Sequence, residues 1–297
     1  MMRQKRHNRM KSLSGVLLPA LLLCAVLLSA CGGGRDEPTG WRIPNDEQVV
    51  AALRKALREH SREFTVRFSY DRDVLSELPA LAGDWVERAL QETDDPAEGD
   101  YIRYQYGGYE IKSSCRPEGE RYDYEVHIQP RYYTYLSQEQ EVSERVEALL
   151  AELGFDEDTA DFEKIRCIYD YVRGTVRYDR VHSGRSEHTL RSTAYSALHW
   201  HAATCQGYCV TLYRLLREAG VPCRVVTGTA DGTFHAWNLV ELDGAWYGLD
   251  ATWDAGREEP LWFLKGSEGF SGHEPGPAFE NTAFRQQHPM SPEDYAV

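Results

Sequence analysis

The chain has 297 residues, 42% hydrophobic and 27% charged, and its 33 basic against 47 acidic residues give a formal net charge of −14. At about 150 residues per domain this length predicts roughly two domains, and the composition is that of a folded protein. The acidic balance argues against a binder of nucleic-acid phosphates, and a single long apolar run excludes a multi-spanning membrane protein.

That run stands at the N-terminus. Arg3, Lys5, Arg6, Arg9 and Lys11 form a basic start, followed by an apolar stretch from Val16 to Leu28 that is short for a spanning helix and broken by Pro19. Leu28-Ser29-Ala30-Cys31 then leads into three glycines. The segment resembles the lipobox of bacterial lipoproteins, which implies cleavage before Cys31 and a diacylglycerol on its thiol. The plainer alternative is a secretory signal in which Cys31 is incidental. Residues 1–30 thus read as a signal peptide and 31–45 as a lipidated tether, with the chain expected on the extracytoplasmic face of the cell membrane. Removing 1–30 would leave 28 basic and 47 acidic residues, a net of −19. Cys115, Cys167, Cys205, Cys209 and Cys223 then remain where disulfides are permitted. Five is odd, so at least one thiol is left over as a candidate nucleophile.

Residues 46–138 read as a first region. Val49, Val50, Leu53 and Leu57 have helical spacing, residues 64–68 alternate like a strand, and Leu75 to Leu90 suggest one or two helices. Beyond Asp94-Asp95-Pro96, Ile102, Tyr104 and Tyr106 alternate with polar residues, as do Tyr122, Tyr124, Val126 and Ile128, which predicts an antiparallel pair. Nine of the 18 tyrosines lie in 101–135. Packing on one face of a half-buried sheet explains them better than a glycan platform does.

Residues 139–266 change character. Val142, Val146, Leu149 and Leu153 mark a helix stopped by Gly154, and Asp161 is expected to cap the next, lined by Ile165, Ile168, Tyr169 and Val172. Residues 204–220 read as one amphipathic helix, with Thr204 as N-cap and Gly220 as terminator. This places Cys205 in the first turn on the inward face, where the helix dipole and unpaired N–H groups favour a thiolate and could stabilise an oxyanion.

A hairpin follows around Asp243-Gly244, a two-residue turn signal. With that loop Leu242 faces Ala245, Trp237 faces Asp250 and His235 faces Thr252. His235 and Asp250 therefore share a face as diagonal neighbours, about 7–8 Å apart at Cα and within reach of each other's side chains. A thiol at a helix start, an imidazole on a strand and a carboxylate that orients it make a constellation for nucleophilic acyl transfer.

Thr204-Cys205-Gln206-Gly207-Tyr208, His235-Ala236-Trp237-Asn238 and Leu249-Asp250-Ala251-Thr252-Trp253-Asp254 resemble the three motifs of the transglutaminase-like superfamily. The resemblance covers about residues 140–265. It implies an α+β fold with a papain-like core, the Cys helix packed on an antiparallel sheet, here preceded by the smaller α+β region. It also implies Cys205 as nucleophile, His235 as general base and acid, and Asp250 as orienting residue. A second oxyanion donor has no clear match; Trp200 and Gln206 are the weak candidates.

The expected enzyme needs no cofactor and no metal. His199, His201, Cys205 and Cys209 offer nitrogen and sulfur donors, but without the short knuckle of common zinc sites. Cys209 is expected in the core, and Trp237, Trp246 and Trp253 in sheet packing. Residues 267–297 read as a tail without chemical signal. The expected substrate is a protein or peptide amide, with hydrolysis favoured over amine cross-linking; cell-wall contact rests on analogy alone. A non-catalytic wall or protein-binding module on the same scaffold is the alternative.

Overall fold

Alternating burial along Phe64–Tyr70 gives β1 its inward set, Phe64, Val66 and Phe68. The computed structural model describes residues 46–181 and 186–296. By contacts these divide into two units, 46–91 with 106–132, and 92–105 with 133–296.

In the first unit, α1 (Asp46–Arg58) buries the predicted Val49, Val50, Leu53 and Leu57. A single helix, α2 (Leu78–Ala89), follows β1. Strands β2 (Tyr106–Glu118) and β3 (Arg121–Tyr132) form an antiparallel pair, but the expected strand over 122–128 faces residues 111–117 rather than 102–106, and the sheet order is β1-β3-β2. Phe64, Val66 and Phe68 face Ile128, Val126 and Tyr124, so Tyr124 packs the buried face of the sheet, whereas Tyr101 and Tyr104 belong to the second unit and Tyr135 is exposed.

The predicted strand over Ile102 and Tyr104 is instead a short helix, α3 (Asp100–Arg103), in the second unit. Buried Asp100 anchors it: its carboxylate accepts from Arg224 at 2.8 Å and from the Val225 N–H at 2.9 Å. Three alternating residues are too few to distinguish one helical turn from a strand.

The second unit continues with α4 (Leu136–Leu153), ended by Gly154 in the left-handed region, and α5 (Asp161–Thr175). Asp161 is the first residue of α5, and Ala160 takes the capping position. A short parallel pair, β4 (Arg177–Tyr178) and β5 (Ala202–Ala203), brackets α6 (Ala194–Trp200). Next come α7 (Cys205–Glu218), β6 (Cys223–Ala230), β7 (Thr233–Leu242) and β8 (Ala245–Leu249). The sheet closes with β9 (His273–Pro275), followed by α8 (Pro277–Glu280) and α9 (Thr282–Gln287).

The antiparallel order is β8-β7-β6-β9. Helix α7 contacts β6 and β7 as well as α3, α4, α5 and α6. It is therefore buried continuously from Gly207 to Leu216, beyond the single apolar face its pattern predicts. The polar residues on its far side are satisfied internally, Thr211 donating to the Gly207 carbonyl at 2.7 Å and Tyr213 to Glu92 at 2.6 Å. At Gly207 a Cβ would stand 2.7 Å from the Ala203 Cβ, so only glycine lets the first turn of α7 pass this close.

Residues 267–297 are more than a tail, because β9 adds an edge strand beside β6, pairing Ala230 with His273 and Gly228 with Pro275. A side chain at Gly228 would fall on the Glu274 carbonyl oxygen, so glycine again permits the approach. A three-residue strand containing proline carries no periodicity by which the sequence could reveal it. The signal segment and Cys31 lie outside the described residues. No helix among the described residues is long and apolar enough to cross a membrane.

Candidate active site

Cys205 opens α7, and Thr204 precedes it in extended conformation. The threonine hydroxyl lies 3.0 Å from the Ser192 hydroxyl and makes no cap bond to the helix. The first-turn N–H groups beside Cys205 are therefore left without a side-chain cap, and a helix start offers them no acceptor within the helix. Cys205 is buried, with 8% of its surface exposed.

Asn238, from the same strand as His235, fixes the helix against the sheet. Its Nδ2 donates to the Cys209 carbonyl at 3.1 Å and to the Arg224 carbonyl at 3.2 Å. One amide thus ties α7, β6 and β7 together directly behind Cys205.

The hairpin has the predicted register, Leu242 opposite Ala245 and Asn238 opposite Leu249. Strand pairing stops there, and Asp250 begins the turn that follows. His235 Nε2 and Asp250 Oδ2 lie 2.7 Å apart. The other carboxylate oxygen accepts from the Thr252 N–H at 2.9 Å and the Trp253 N–H at 3.0 Å. Burial opposes charge on His235, but hydrogen bonds with Asp250 and Cys205, and their negative charge, outweigh it and raise its pKa to about 9. Burial likewise opposes charge on Asp250, yet hydrogen bonds from His235 and His273 hold its pKa below the ordinary value. The three predicted side chains are therefore brought together, with His235 hydrogen-bonded to Asp250 and influenced by Cys205.

His273 is the member that sequence reasoning missed. Its Nε2 lies 3.0 Å from the same Asp250 Oδ2. Its ring stacks on Phe270 with centroids 3.9 Å apart, and Trp253 packs against it at 4.6 Å. Trp253 also stacks over His235 at 5.4 Å, so this tryptophan covers the imidazole pair as well as packing the sheet. Trp237 and Trp246 are buried as expected.

Asp254, the last residue of the third motif, is buried and acts structurally. It accepts from Tyr169 at 2.6 Å and from the backbone N–H groups of Leu261 and Trp262 at 2.8 and 2.9 Å. The Trp262 carbonyl in turn accepts from the Asp250 N–H at 3.0 Å, so Asp254 holds the loop that holds Asp250.

Cys209 is in the core, and burial pushes its thiol pKa well up. The Gln206 amide donates to the Tyr104 carbonyl. Trp200 is 41% exposed, with the Arg191 guanidinium over its ring. Among the described residues, the ligating side chains that converge are His235, Asp250 and His273, rather than the His199, His201, Cys205 and Cys209 set.

Residues 148–251 match the family model described as the transglutaminase-like superfamily. The chain is 30% identical over 109 residues to the kyphoscoliosis peptidase of Mus musculus, covering 33% of this chain and 16% of that protein. It is 28% identical over 113 residues to the Homo sapiens protein of that name, covering 34% and 17%. The chain thus matches about a sixth of the length of these curated relatives. Among solved structures, a TGase crystal structure is similar at 16% identity and a TM-score of 0.38, covering 69% of this chain and 55% of that one. A candidate cysteine protease from Cytophaga hutchinsonii is similar at 17% identity and a TM-score of 0.31, covering 48% and 62%. Residues 148–251 of this chain are a transglutaminase-like domain.

Proposed function

We propose that this chain is a cysteine hydrolase of protein or peptide amides, held at the extracytoplasmic face of the cell membrane by lipid on Cys31. The observation that carries the catalytic reading is His235 hydrogen-bonded to Asp250 at 2.7 Å, with Cys205 near enough to help raise the His235 pKa. With His235 as imidazolium and Cys205 as thiolate, the sulfur attacks the amide carbonyl carbon and a C–S bond forms. Negative charge moves to the carbonyl oxygen, beside the uncapped N–H groups at the start of α7. His235 gives its proton to the leaving nitrogen, the C–N bond breaks, and a thioester remains on Cys205. His235 then takes a proton from water, the resulting oxygen nucleophile cleaves the thioester, and the thiolate–imidazolium pair is restored. Asp250 stays ionised throughout and stabilises the imidazolium each time it forms.

Water is the favoured acceptor because an amine would have to outcompete it, and no second substrate site was legible in the sequence. The peptidase name of the curated relatives agrees with this choice. The test is incubation with a peptide library and a labelled primary amine, read by mass spectrometry against Cys205→Ala. Cleaved peptides are the expected product. Amine adducts would make the protein a cross-linker, glutamine converted to glutamate a deamidase, and no change relative to the variant would remove the enzymatic reading.

A further inference from the structure

Asp250 Oδ2 is shared by two imidazoles, and the mechanism above uses only one. We propose that His273 is a positioning residue for the His235–Asp250 pair, donating from Nε2 to the carboxylate oxygen that His235 also uses and so setting how strongly Asp250 pulls on His235. The proposal rests on the catalytic reading of Cys205, His235 and Asp250.

The tautomer follows from the surroundings. His273 Nδ1 is buried, and among the described residues it has no hydrogen-bond partner. Its ring is enclosed by Phe270, Trp253, Trp237 and Trp262, with centroids at 3.9, 4.6, 5.0 and 5.2 Å. A proton on Nδ1 would face this wall without an acceptor, so Nδ1 carries the lone pair and Nε2 the proton. That assignment makes the 3.0 Å contact a hydrogen bond donated to Asp250.

It also separates this arrangement from a metal site. His235, Asp250 and His273 present donor atoms within 4.8 Å of one another, a set a divalent cation could use. A ligating Nε2 would have to give up its proton to Nδ1, where metal-bound histidines normally find an acceptor and His273 has none. The built feature is a donor aimed at a carboxylate.

The consequence is graded control. With two imidazole N–H donors on Oδ2 and two backbone N–H groups on Oδ1, the carboxylate charge is divided among four hydrogen bonds. Removing His273 would leave His235 alone on Oδ2 and strengthen its hold on the imidazolium proton. The other titratable groups facing the cluster are Cys205 and Cys209 from α7, Tyr169 from α5, and Asp254 beyond the turn.

The test follows the rate of Cys205 alkylation by iodoacetamide from pH 4 to 10 in the full chain, for wild type, His273→Phe and His273→Gln. Wild type is expected to show a rate plateau that ends with loss of the His235 proton. In the Phe variant, which keeps the aromatic packing but lacks a donor, that alkaline limb should move up by about one pH unit. Hydrolysis of a cleaved peptide should fall about tenfold, and the Gln variant, which regains an N–H donor, should recover most of both. A Phe variant with the wild-type pH profile, or a Gln variant as impaired as Phe, would overturn the proposal. Absence of the plateau in wild type would instead sink the catalytic reading, and the role of His273 with it. Equimolar zinc held by wild type and lost from the Phe variant would reassign the cluster to a metal. Should the Phe variant not fold, nitrogen-15 NMR of wild type decides the tautomer, and a protonated Nδ1 on His273 would refute the assignment.

Discussion

Asp250 Oδ2 lies 2.7 Å from His235 Nε2, although Asp250 stands one residue beyond the end of β8. The strand register brings the two onto one face, and two backbone N–H groups in the following turn hold the carboxylate by its other oxygen. Replacing Asp250 by Asn keeps the shape and removes the charge. His235 should then titrate well below 9, toward the ordinary imidazole range, because its ionic partner is gone. Peptide hydrolysis should fall by about a thousandfold or more. NMR titration of His235 and steady-state kinetics measure the two effects.

The raised pKa of His235 also carries a stability signature. A group whose folded pKa exceeds its unfolded value stabilises fully below the unfolded value and loses that contribution as pH rises through the folded one. For His235 the window runs from about 6.5 to about 9, and the contribution is on the order of 2 kcal/mol after allowance for partial exposure. Urea midpoints should fall across this window in wild type by more than they do in His235→Gln. Parallel curves would refute the expectation.

Asn238 should be intolerant of loss of its donor. Asn238→Asp replaces a buried N–H₂ with an oxygen facing the Cys209 and Arg224 carbonyls. Destabilisation of about 3 kcal/mol is expected from the unsatisfied and repelling groups, measured by urea denaturation. Asn238→Asp at wild-type stability would show that the amide does not tie α7 to the sheet.

Gly228 controls access of β9 to the sheet. Gly228→Val should push β9 away, since its side chain would occupy the Glu274 carbonyl position. Hydrogen exchange should show lost protection over 273–275, and hydrolysis should fall at least as far as in His273→Phe. Protection at the wild-type level would mean that β9 tolerates a side chain there.

Much of the site could be read from the sequence because its parts are local. A helix with both ends marked placed Cys205, and Asp243-Gly244 set a register in which a one-residue slip would have put His235 and Asp250 on opposite faces. His273 could not be read. It comes from a three-residue edge strand whose place depends on a missing side chain at Gly228, with no repeat around it. The all-round burial of α7 was hidden for a related reason. Thr211 and Tyr213 look solvent-facing by type, yet each finds a partner inside the fold, and the buried Arg214 reaches the exposed Glu218 one turn on at 3.1 Å. The helix of residues 100–103 depends on Asp100 meeting Arg224, more than a hundred residues away, which no local pattern encodes.

The central claim is that one cysteine is activated by His235. Its most direct test is the alkylation of each cysteine at pH 7, mapped by peptide mass spectrometry in wild type and in His235→Asn. Burial pushes the thiols of Cys209 and Cys223 up, and that of the half-buried Cys115 as well, so these provide internal standards. The account predicts Cys205 to react at least tenfold faster than Cys115, and to lose that advantage in His235→Asn. Equal rates at Cys205 and Cys115 in wild type, or a rate at Cys205 unchanged by the substitution, would contradict it.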